Sequence, residues 1–352
     1  MSRKLAAAVA TLGTLLAAPA ARAYQTPFGG AAPWNAPVAG QAVDPNSAAL
    51  VQQLWCGTGC GNRDGAENLN VTTYDFSFPV YYVAGAANYG PPATGTCLVR
   101  VLNADWGSNL AGARVPCNPN WKPSGVVNWP STDAHGNLGS DRDAQMIVLN
   151  AATGEEYDLW RYSYASGVVT ISNGNKVPGS YLTNTAGYPP SRDSGLPYLA
   201  LLPVPDEVQA GAIRHALPLL VPELGTTFRS PATKTTGDVA GGVPAGTRYA
   251  LGVSDADVQA WLSALPSCVS ATGRASLKVL AVALRDYGLV VSDHAGSTHV
   301  QLADAANPAT RTAWAGLGLA TQTCGDGKQY PRDALDGLVT QARLVALAPG
   351  GG

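Results

Sequence analysis

The fold class is decided by residues 145–172, which read QMIVLNAATGEEYDLWRYSYASGVVTIS. Met146–Leu149 is an unbroken apolar run, and Asn150–Gly154 has the composition of a turn. Glu155–Tyr164 then reads as the return strand, and a second turn leads into Val168–Ser172. Short strands joined by tight turns are typical of an antiparallel meander, which favours a β-sandwich over a parallel βαβ sheet.

Further strands are predicted on both sides of this meander. In Val71–Val83, aromatic and polar side chains alternate as they do in a half-buried strand. The hairpin-type dipeptide Asn173-Gly174 should end the third strand of the meander. Leu289–Ser292 and Thr298–Leu302 are predicted to form a hairpin. Trp106–His135 has little pattern and is predicted to be a long ordered loop.

Helices are predicted only in the second half of the chain. Asp206–Leu217 has apolar residues on one side and is followed by Pro218, which stops a helix. Ser254 starts a capping-box pattern, and Ser276–Tyr287 carries an apolar face. The predicted fold class is therefore mainly β: an antiparallel β-sandwich, jelly-roll-like, with two or three helices in the second half.

The chain is expected to begin with a cleavable signal peptide. Arg3 and Lys4 precede an uncharged apolar stretch, and Ala21-Arg22-Ala23 has the small-x-small pattern of a cleavage site. The protein is thus expected to be secreted, extracellular or periplasmic, with no membrane span after cleavage. The predicted organisation is a signal peptide (1–23), an extended Pro/Gly-rich segment (24–70), a sandwich domain with helical insertions (71–325) and a C-terminal tail (326–352).

All six cysteines follow the predicted cleavage site, and an even number in an oxidising compartment is typical of disulfide bonds. Spacing favours three pairs, Cys56–Cys60, Cys97–Cys117 and Cys268–Cys324, among the 15 pairings that six cysteines allow. Metal binding by these residues is disfavoured because the chain has no Cys-x-x-Cys pair. No metal and no cofactor is expected.

Composition and missing motifs exclude several functional classes. Only 13% of residues are charged and the net charge is −2, which gives no electrostatic reason to expect nucleic acid as a partner. The sequence has no Gly-x-Ser-x-Gly, His-Glu-x-x-His, P-loop or Gly-x-Gly-x-x-Gly motif. Serine hydrolases of the α/β type, zincins, NTPases and dinucleotide enzymes are therefore disfavoured.

The predicted return strand supplies the first candidate site. Side chains alternate along a strand, so Glu156, Asp158, Trp160, Tyr162 and Tyr164 should share one face. Two carboxylates about 7 Å apart in a cleft would raise the pKa of one of them. Such a pair supplies the proton donor and the anion that glycoside hydrolysis needs, and the rings could stack on sugars. The alternative is a solvated face whose rings cover neighbouring strands.

Two resemblances extend this interpretation. The run Glu156-Tyr157-Asp158-Leu159-Trp160 resembles the Glu-x-Asp-x-x-Glu strand of the laminarinase-like retaining glycoside hydrolases, which are β-jelly rolls. The resemblance implies a nucleophilic Glu156 and an assisting Asp158, but Arg161 stands where the acid/base Glu belongs. A longer pattern, over about residues 140–300 and including Gly211–Leu217 and Leu284–Gly288, resembles a group of exported bacterial proteins of unassigned function.

Three residues outside that strand are weighed separately. His215 should point into the core or a cleft floor, which favours a hydrogen-bonded core histidine over a catalytic one. Glu207 would lie about 12 Å away along the same predicted helix and out of reach. A catalytic His215 would need Asp143, Asp158 or Asp293 as its partner. Arg192 is either half of an ion pair that shapes its loop or part of a cleft wall.

The favoured function is a secreted carbohydrate-active protein that binds or hydrolyses an extracellular polysaccharide or oligosaccharide. The alternatives are a non-catalytic envelope or adhesion protein, which makes protein contacts through Trp- and Gly-rich loops, and a hydrolase that uses His215. A metal site at Asp293, His294 and His299 is disfavoured, because polar residues at loop tips are usually solvated. The candidate catalytic residues are Glu156, Asp158, His215 and Asp143, and the candidate substrate-binding residues are Trp160, Tyr162, Tyr164 and Arg192.

Overall fold

The computed structural model describes residues 27–57, 69–73, 77–102, 107–125, 143–185 and 192–350. The predicted signal peptide, Cys60, Tyr74 and Phe76 lie outside these ranges. The strands are β1 (Asn70–Thr72), β2 (Val80–Tyr82), β3 (Gly95–Val101), β4 (Arg114–Cys117), β5 (Met146–Asn150), β6 (Glu155–Trp160), β7 (Ser163–Ala165), β8 (Val168–Ile171), β9 (Asn173–Lys176), β10 (Leu217–Val221), β11 (Leu224–Phe228), β12 (Val243–Ala245), β13 (Arg248–Leu251), β14 (Leu289–His294), β15 (His299–Gln301), β16 (Gln322–Thr323), β17 (Gln329–Tyr330) and β18 (Leu344–Ala346). The helices are α1 (Ser47–Cys56), α2 (Pro205–Gln209), α3 (Asp255–Ala264), α4 (Ala271–Asp286) and α5 (Pro308–Gly316).

Two four-stranded sheets form a sandwich, with strand orders β2-β5-β6-β9 and β4-β3-β8-β7. Both sheets contribute to one buried apolar cluster, which includes Val148 and Leu159 from the first and Val99 and Val169 from the second. The prediction of a mainly β, sandwich-like fold is confirmed. The pairing is mixed, however, and not antiparallel throughout, because β2 runs parallel to β5 and β3 runs parallel to β8.

The meander divides between these two sheets. The β5–β6 and β7–β8 hairpins form as predicted. The expected Glu155–Tyr164 strand is nevertheless interrupted at Arg161, whose φ of +52° turns the chain from β6 into β7. Asn173-Gly174 also differs from prediction, because it begins β9 and pairs with β6. A Cβ at Gly174 would lie 2.6 Å from the Asp158 carbonyl oxygen, so this glycine permits close strand approach and does not make a turn.

The structure also contains a separate six-stranded mixed sheet, whose strand order is β1-β15-β10-β14-β13-β18. β10 lies between β14 and β15, so the predicted hairpin of these two strands is wrong. The predicted Asp206–Leu217 helix is also too long, because α2 ends at Gln209 and the chain turns at Gly211, whose φ is +79°. All five residues of Leu217–Val221 are buried, and such a short apolar run fits a central strand and a buried helix equally well.

The later helices agree better with prediction. Ser254 caps α3, because its Oγ accepts from the Asp257 N–H at 3.1 Å while Asp257 accepts from the Ser254 N–H at 2.8 Å. α4 starts after Ser270, earlier than predicted, and ends before Gly288, whose φ is +76°. It packs against α3 and β13. No helix among the described residues is long and apolar enough to span a membrane.

Both terminal segments belong to the folded structure. The expected extended segment contains α1, and Trp34 within it is only 1% exposed. The expected C-terminal tail supplies β18, which pairs with β13 at the edge of the large sheet. The expected loop at Trp106–His135 contains β4. These three expectations were wrong because strand pairing and burial with distant residues outweigh weak local patterns.

The disulfide prediction is confirmed where the structure describes both partners. Cys97 is bonded to Cys117, which fastens β3 to β4, and Cys268 is bonded to Cys324. Cys56 is disulfide-bonded as well, and its predicted partner Cys60 lies outside the described residues. These bonds are compatible with an extracellular or periplasmic location.

Candidate functional site

A cleft of about 500 Å³ lies where the sandwich meets the six-stranded sheet. This volume is within the range of ligand pockets. The sandwich contributes Asp143, which precedes β5, and Trp160 at the end of β6. Asp293 comes from the carboxyl end of β14, and the remaining charged side chains come from loops. Its charged and aromatic lining residues include Asp143, Trp160, Arg192, Asp193, Lys234 and Asp293.

A buried ion pair forms the floor of the cleft. The Arg192 side chain is inaccessible to solvent and donates from Nη1 to Asp293 Oδ2 at 2.7 Å. Nη1 also donates to Gln301 Oε1 at 2.9 Å, and Nη2 donates to the Tyr198 carbonyl oxygen at 2.9 Å. The guanidinium lies 4.5 Å from the centre of the Phe78 ring. Arg192 thereby connects the end of β14 to β15 and to the 192–200 segment.

Asp193 and Asp293 each accept a hydrogen bond from a backbone N–H of the other's segment. The Asp193 N–H donates to Asp293 Oδ1 at 2.7 Å, and the His294 N–H donates to Asp193 Oδ2 at 2.9 Å. Burial raises the pKa of Asp293 to about 7, and the Arg192 charge acts in the opposite direction. Both Asp293 oxygens accept from N–H groups, so this residue positions its neighbours and is poorly placed to donate a proton.

Asp143 has the properties of a proton donor. Burial raises its pKa, and the charge of Asp193 raises it further. The Trp160 indole N–H, which donates to Asp143 Oδ1 at 3.3 Å, and the Arg161 charge lower it less. The cleft therefore contains a carboxyl group with a raised pKa, that of Asp143, and a second acidic side chain, Asp193, whose charge acts on it. Paired titratable groups in unequal surroundings are a feature of acid–base sites.

An aromatic ring and a cation complete the cleft. Trp160 is half-buried, and the Arg161 guanidinium lies 4.4 Å from the centre of its ring. Lys234 is half-buried on the loop after β11. Burial lowers the pKa of Lys234, whereas the charges of Asp193 and Asp293 oppose that shift. The cleft thus offers an apolar surface, hydrogen-bond acceptors and a cationic donor to a polar ligand.

The structure brings three of the predicted site residues together in this cleft: Asp143, Trp160 and Arg192. Glu156, Asp158, Tyr162, Tyr164 and His215 do not line it. The sequence patterns did not predict that Asp193, Lys234 and Asp293 lie together in one site. The sequence contained one usable indication for Asp293, since a polar residue that follows an apolar strand often lies at a ligand-binding edge of the sheet.

The expected solvent-facing row of acidic and aromatic side chains is wrong. Glu156 and Asp158 do share a face, but they are 0% and 1% exposed. Glu156 Oε1 accepts from the Leu199 N–H at 2.9 Å, and Asp158 Oδ2 accepts from the Tyr198 N–H at 3.1 Å. This face is directed inward because it anchors the Tyr198–Leu199 backbone. Beyond the kink, Tyr162 belongs to the sandwich core and Tyr164 packs against it.

Glu156→Gln is expected to make the protein more stable at alkaline pH. Burial raises the pKa of Glu156 well above its usual value, and Asp158 adds to this by charge and by a side-chain hydrogen bond. The folded state therefore binds the proton more tightly than the unfolded state, and stability falls as pH rises above the unfolded pKa of about 4.3. Glutamine mimics the protonated acid, so urea unfolding at pH 8 should show a gain of about 1 kcal/mol or more.

Glu155→Gln is the matched control for this prediction. Glu155 is half-buried, and its hydrogen bond from Lys176 lowers its pKa, so its stabilising effect is lost as pH falls. This control should lose less than about 1 kcal/mol at neutral pH, as surface pairs do. If Glu156→Gln were less stable than wild type at pH 8, the prediction that Glu156 keeps a proton in the folded state would be wrong.

His215 lies in a separate buried network. Its Nδ1 hydrogen-bonds the Ala216 carbonyl oxygen at 2.8 Å, and its Nε2 lies 3.1 Å from Glu207 Oε2. The interpretation as a core histidine is confirmed, since the residue is 3% exposed. The expected separation of about 12 Å from Glu207 was wrong because the helix ends early and the chain turns back. Burial alone would lower the pKa of His215, but Glu207 outweighs it and the pKa is raised.

The described residues include no group of three or more His, Cys, Asp or Glu side chains arranged to hold a metal ion. Comparisons with known proteins find no matching family model, no matching curated protein and no matching solved structure.

Proposed function

We propose that this is a secreted carbohydrate-active protein that binds an extracellular polysaccharide or oligosaccharide in the cleft and hydrolyses it there. The observation that supports this most directly is the position of Asp143. Its carboxyl group has a raised pKa, accepts a hydrogen bond from the Trp160 indole N–H and shares a cleft of about 500 Å³ with Asp193, whose charge acts on it. Glycoside hydrolysis needs a proton donor, an anion and room for a sugar ring.

In this proposal Asp143 protonates the leaving glycosidic oxygen. Asp193 is the carboxylate that assists. If Asp193 attacks the sugar, water then releases the covalent intermediate and gives its proton back to Asp143. If Asp193 instead activates water, it takes the proton of that water, and both carboxyl groups then exchange protons with solvent. The Arg192–Asp293 pair holds Asp193 in place through the Asp193 N–H. Lys234 donates hydrogen bonds to sugar hydroxyls. In this proposal Glu156 and Asp158, the pair suggested by the sequence, have a structural role, because they bind the Tyr198–Leu199 backbone.

Trp160 is proposed as the surface on which a sugar ring stacks. Trp160→Ala should weaken binding to the best ligand on a polysaccharide array by about tenfold, which corresponds to about 1.4 kcal/mol. Trp160→Phe keeps a flat apolar ring and should retain most of the affinity. The measurement is array binding followed by titration with the oligosaccharide selected. Equal affinity of the alanine variant and wild type would show that the Trp160 ring is not part of the binding surface.

The second candidate is a non-catalytic binding protein of the envelope. The raised pKa of Asp143 favours catalysis over this alternative, since a binding site does not need a proton donor. Reducing-sugar release from the polysaccharides that bind on the array separates the two. Binding with no release after prolonged incubation would support the non-catalytic protein and overturn the hydrolytic part of the proposal.

A further inference from the structure

Two residues with a side chain occupy the left-handed backbone region next to the cleft. Ala144, which follows Asp143, has a φ of +39°. Arg161, which follows Trp160, has a φ of +52°. This region is costly for any residue that carries a Cβ, so it is kept only where the surrounding structure requires it. Such positions cluster at binding and catalytic sites, and each of these two adjoins a residue that lines the cleft.

Backbone hydrogen bonds join the two positions into one corner, made of residues 143–144 and 161–162. The Arg161 N–H donates to the Asp143 carbonyl oxygen at 2.8 Å. The Tyr162 N–H donates to the Ala144 carbonyl oxygen at 2.9 Å. Ala144 is also fully buried, so packing and hydrogen bonding together hold this corner. Because Trp160 directly precedes the corner, the Trp160 and Asp143 side chains start from backbone positions that are fixed relative to each other.

The Arg161 side chain acts on both of these residues. Its guanidinium lies 4.4 Å from the centre of the Trp160 ring, within the range of a cation–π contact. Burial raises the pKa of Asp143, and the charge of Arg161 opposes this rise. Among the described residues, no hydrogen bond or ion pair involves the guanidinium. Stacking on Trp160 is therefore the contact that places this half-buried cation.

The two faces of the Trp160 ring have different surroundings. Arg161 covers one face, and it does not line the cleft, whereas Trp160 does. The opposite face is therefore the one that is turned to the cleft. At the edge of the ring, the indole N–H donates to Asp143 Oδ1 at 3.3 Å. A ring held from one face and one edge keeps its position beside the carboxyl group, as catalysis by oriented groups requires.

We propose that Arg161 is a positioning residue of the cleft, which holds the Trp160 ring and the Asp143 carboxyl group in one relative position. Its guanidinium supports the ring from the face away from the cleft, and its N–H anchors the Asp143 backbone. A saccharide ring then stacks on the face of Trp160 that is turned to the cleft, next to Asp143. This last step rests on the proposed function, whereas the arrangement of the three side chains can be tested without a saccharide.

The first test uses the full mature protein without a ligand. Arg161→Gln should shift the indole ¹H–¹⁵N signal of Trp160, because the cation over the ring is lost. It should also raise the pH at which the carboxyl ¹³C signal of Asp143 titrates, because a charge that opposes the effect of burial is removed. Arg161→Lys keeps the charge but not the planar group, so it should restore the titration more fully than the Trp160 signal. Wild-type signals in Arg161→Gln would overturn the proposal.

Two glycine variants separate positioning from folding. Arg161→Gly removes the guanidinium at a φ that glycine adopts without strain, so it should fold and show the same two changes if Arg161→Gln does not fold. Ser166→Gly is the matched control, because Ser166 has a φ of +48° at the exposed turn between β7 and β8. It should leave both signals unchanged. Changes as large in Ser166→Gly would show a general loosening of the sandwich and would overturn the role of Arg161.

The second test uses the saccharide that the wild-type protein cleaves. Arg161→Gln should lower kcat by about tenfold, since a misplaced catalytic group slows the reaction, and Arg161→Lys should lose less. If the wild-type protein cleaved no saccharide, the proposed function would be wrong, and the signals measured without ligand would still decide the role of Arg161. If Arg161→Gln cleaved the saccharide at the wild-type rate, the proposed function would stand and the role of Arg161 would be wrong.

Discussion

Asp143→Asn is expected to lower the turnover of glycosidic cleavage by about 10²- to 10⁴-fold, with saccharide affinity close to that of wild type. The amide keeps an oxygen that can accept from the Trp160 indole N–H, so the local geometry should be retained. It cannot transfer a proton to a leaving oxygen. The measurement is kcat and KM for the polysaccharide that the wild-type protein cleaves, because loss of a proton donor reduces kcat and spares binding.

The pH profile distinguishes a proton donor from a residue that only supports the cleft. Asp143 must be protonated to act, and burial raises its pKa. The alkaline limb of the kcat profile should therefore lie above the ordinary aspartate pKa of about 3.9 and disappear in the variant. Asp255→Asn is the matched control, since that side chain is 88% exposed on α3. Wild-type turnover in Asp143→Asn would exclude the assigned role.

Local patterns predicted the parts of the fold that are formed locally. The β5–β6 hairpin and the Ser254 cap depend on residues a few positions apart, and both are found as expected. The prediction of a β14–β15 hairpin failed because β10, which lies far away in sequence, inserts between them. The predicted Asp206–Leu217 helix extended too far and no strand was predicted at Leu217–Val221, because a short buried apolar run carries no periodicity that separates a strand from a helix.

The candidate site shows the same limit. Alternation correctly put Glu156 and Asp158 on one face of β6, but it does not say whether that face meets solvent or protein. The answer comes from Tyr198 and Leu199, whose backbone N–H groups reach these carboxylates from about 40 residues further along the chain. Asp143 was within reach of prediction because it lies next to the meander.

Arg192→Met is expected to lower the free energy of unfolding by about 3–5 kcal/mol, the usual cost of breaking a buried ion pair from one side. Methionine can fill much of the volume beside Phe78, so the loss is mainly electrostatic. Asp293 would keep its buried carboxylate without the 2.7 Å contact to Nη1, and Gln301 and the Tyr198 carbonyl would each lose a donor. Urea unfolding of the full mature chain measures the change.

The dependence of this loss on pH identifies its cause. Burial already raises the pKa of Asp293 to about 7, and removing Arg192 takes away the charge that opposes the rise. The folded variant then binds a proton more tightly than the unfolded chain, so its stability should fall further as pH rises from 5 to 8. Asp293→Asn added to Arg192→Met should recover part of the loss at pH 8 and little at pH 5. Arg285→Met, which breaks the partly exposed pairs of Arg285 with Asp255 and Asp286, should cost less than about 1 kcal/mol. A loss for Arg192→Met as small as that control, or one independent of pH, would mean that the Arg192–Asp293 pair does not hold the cleft together.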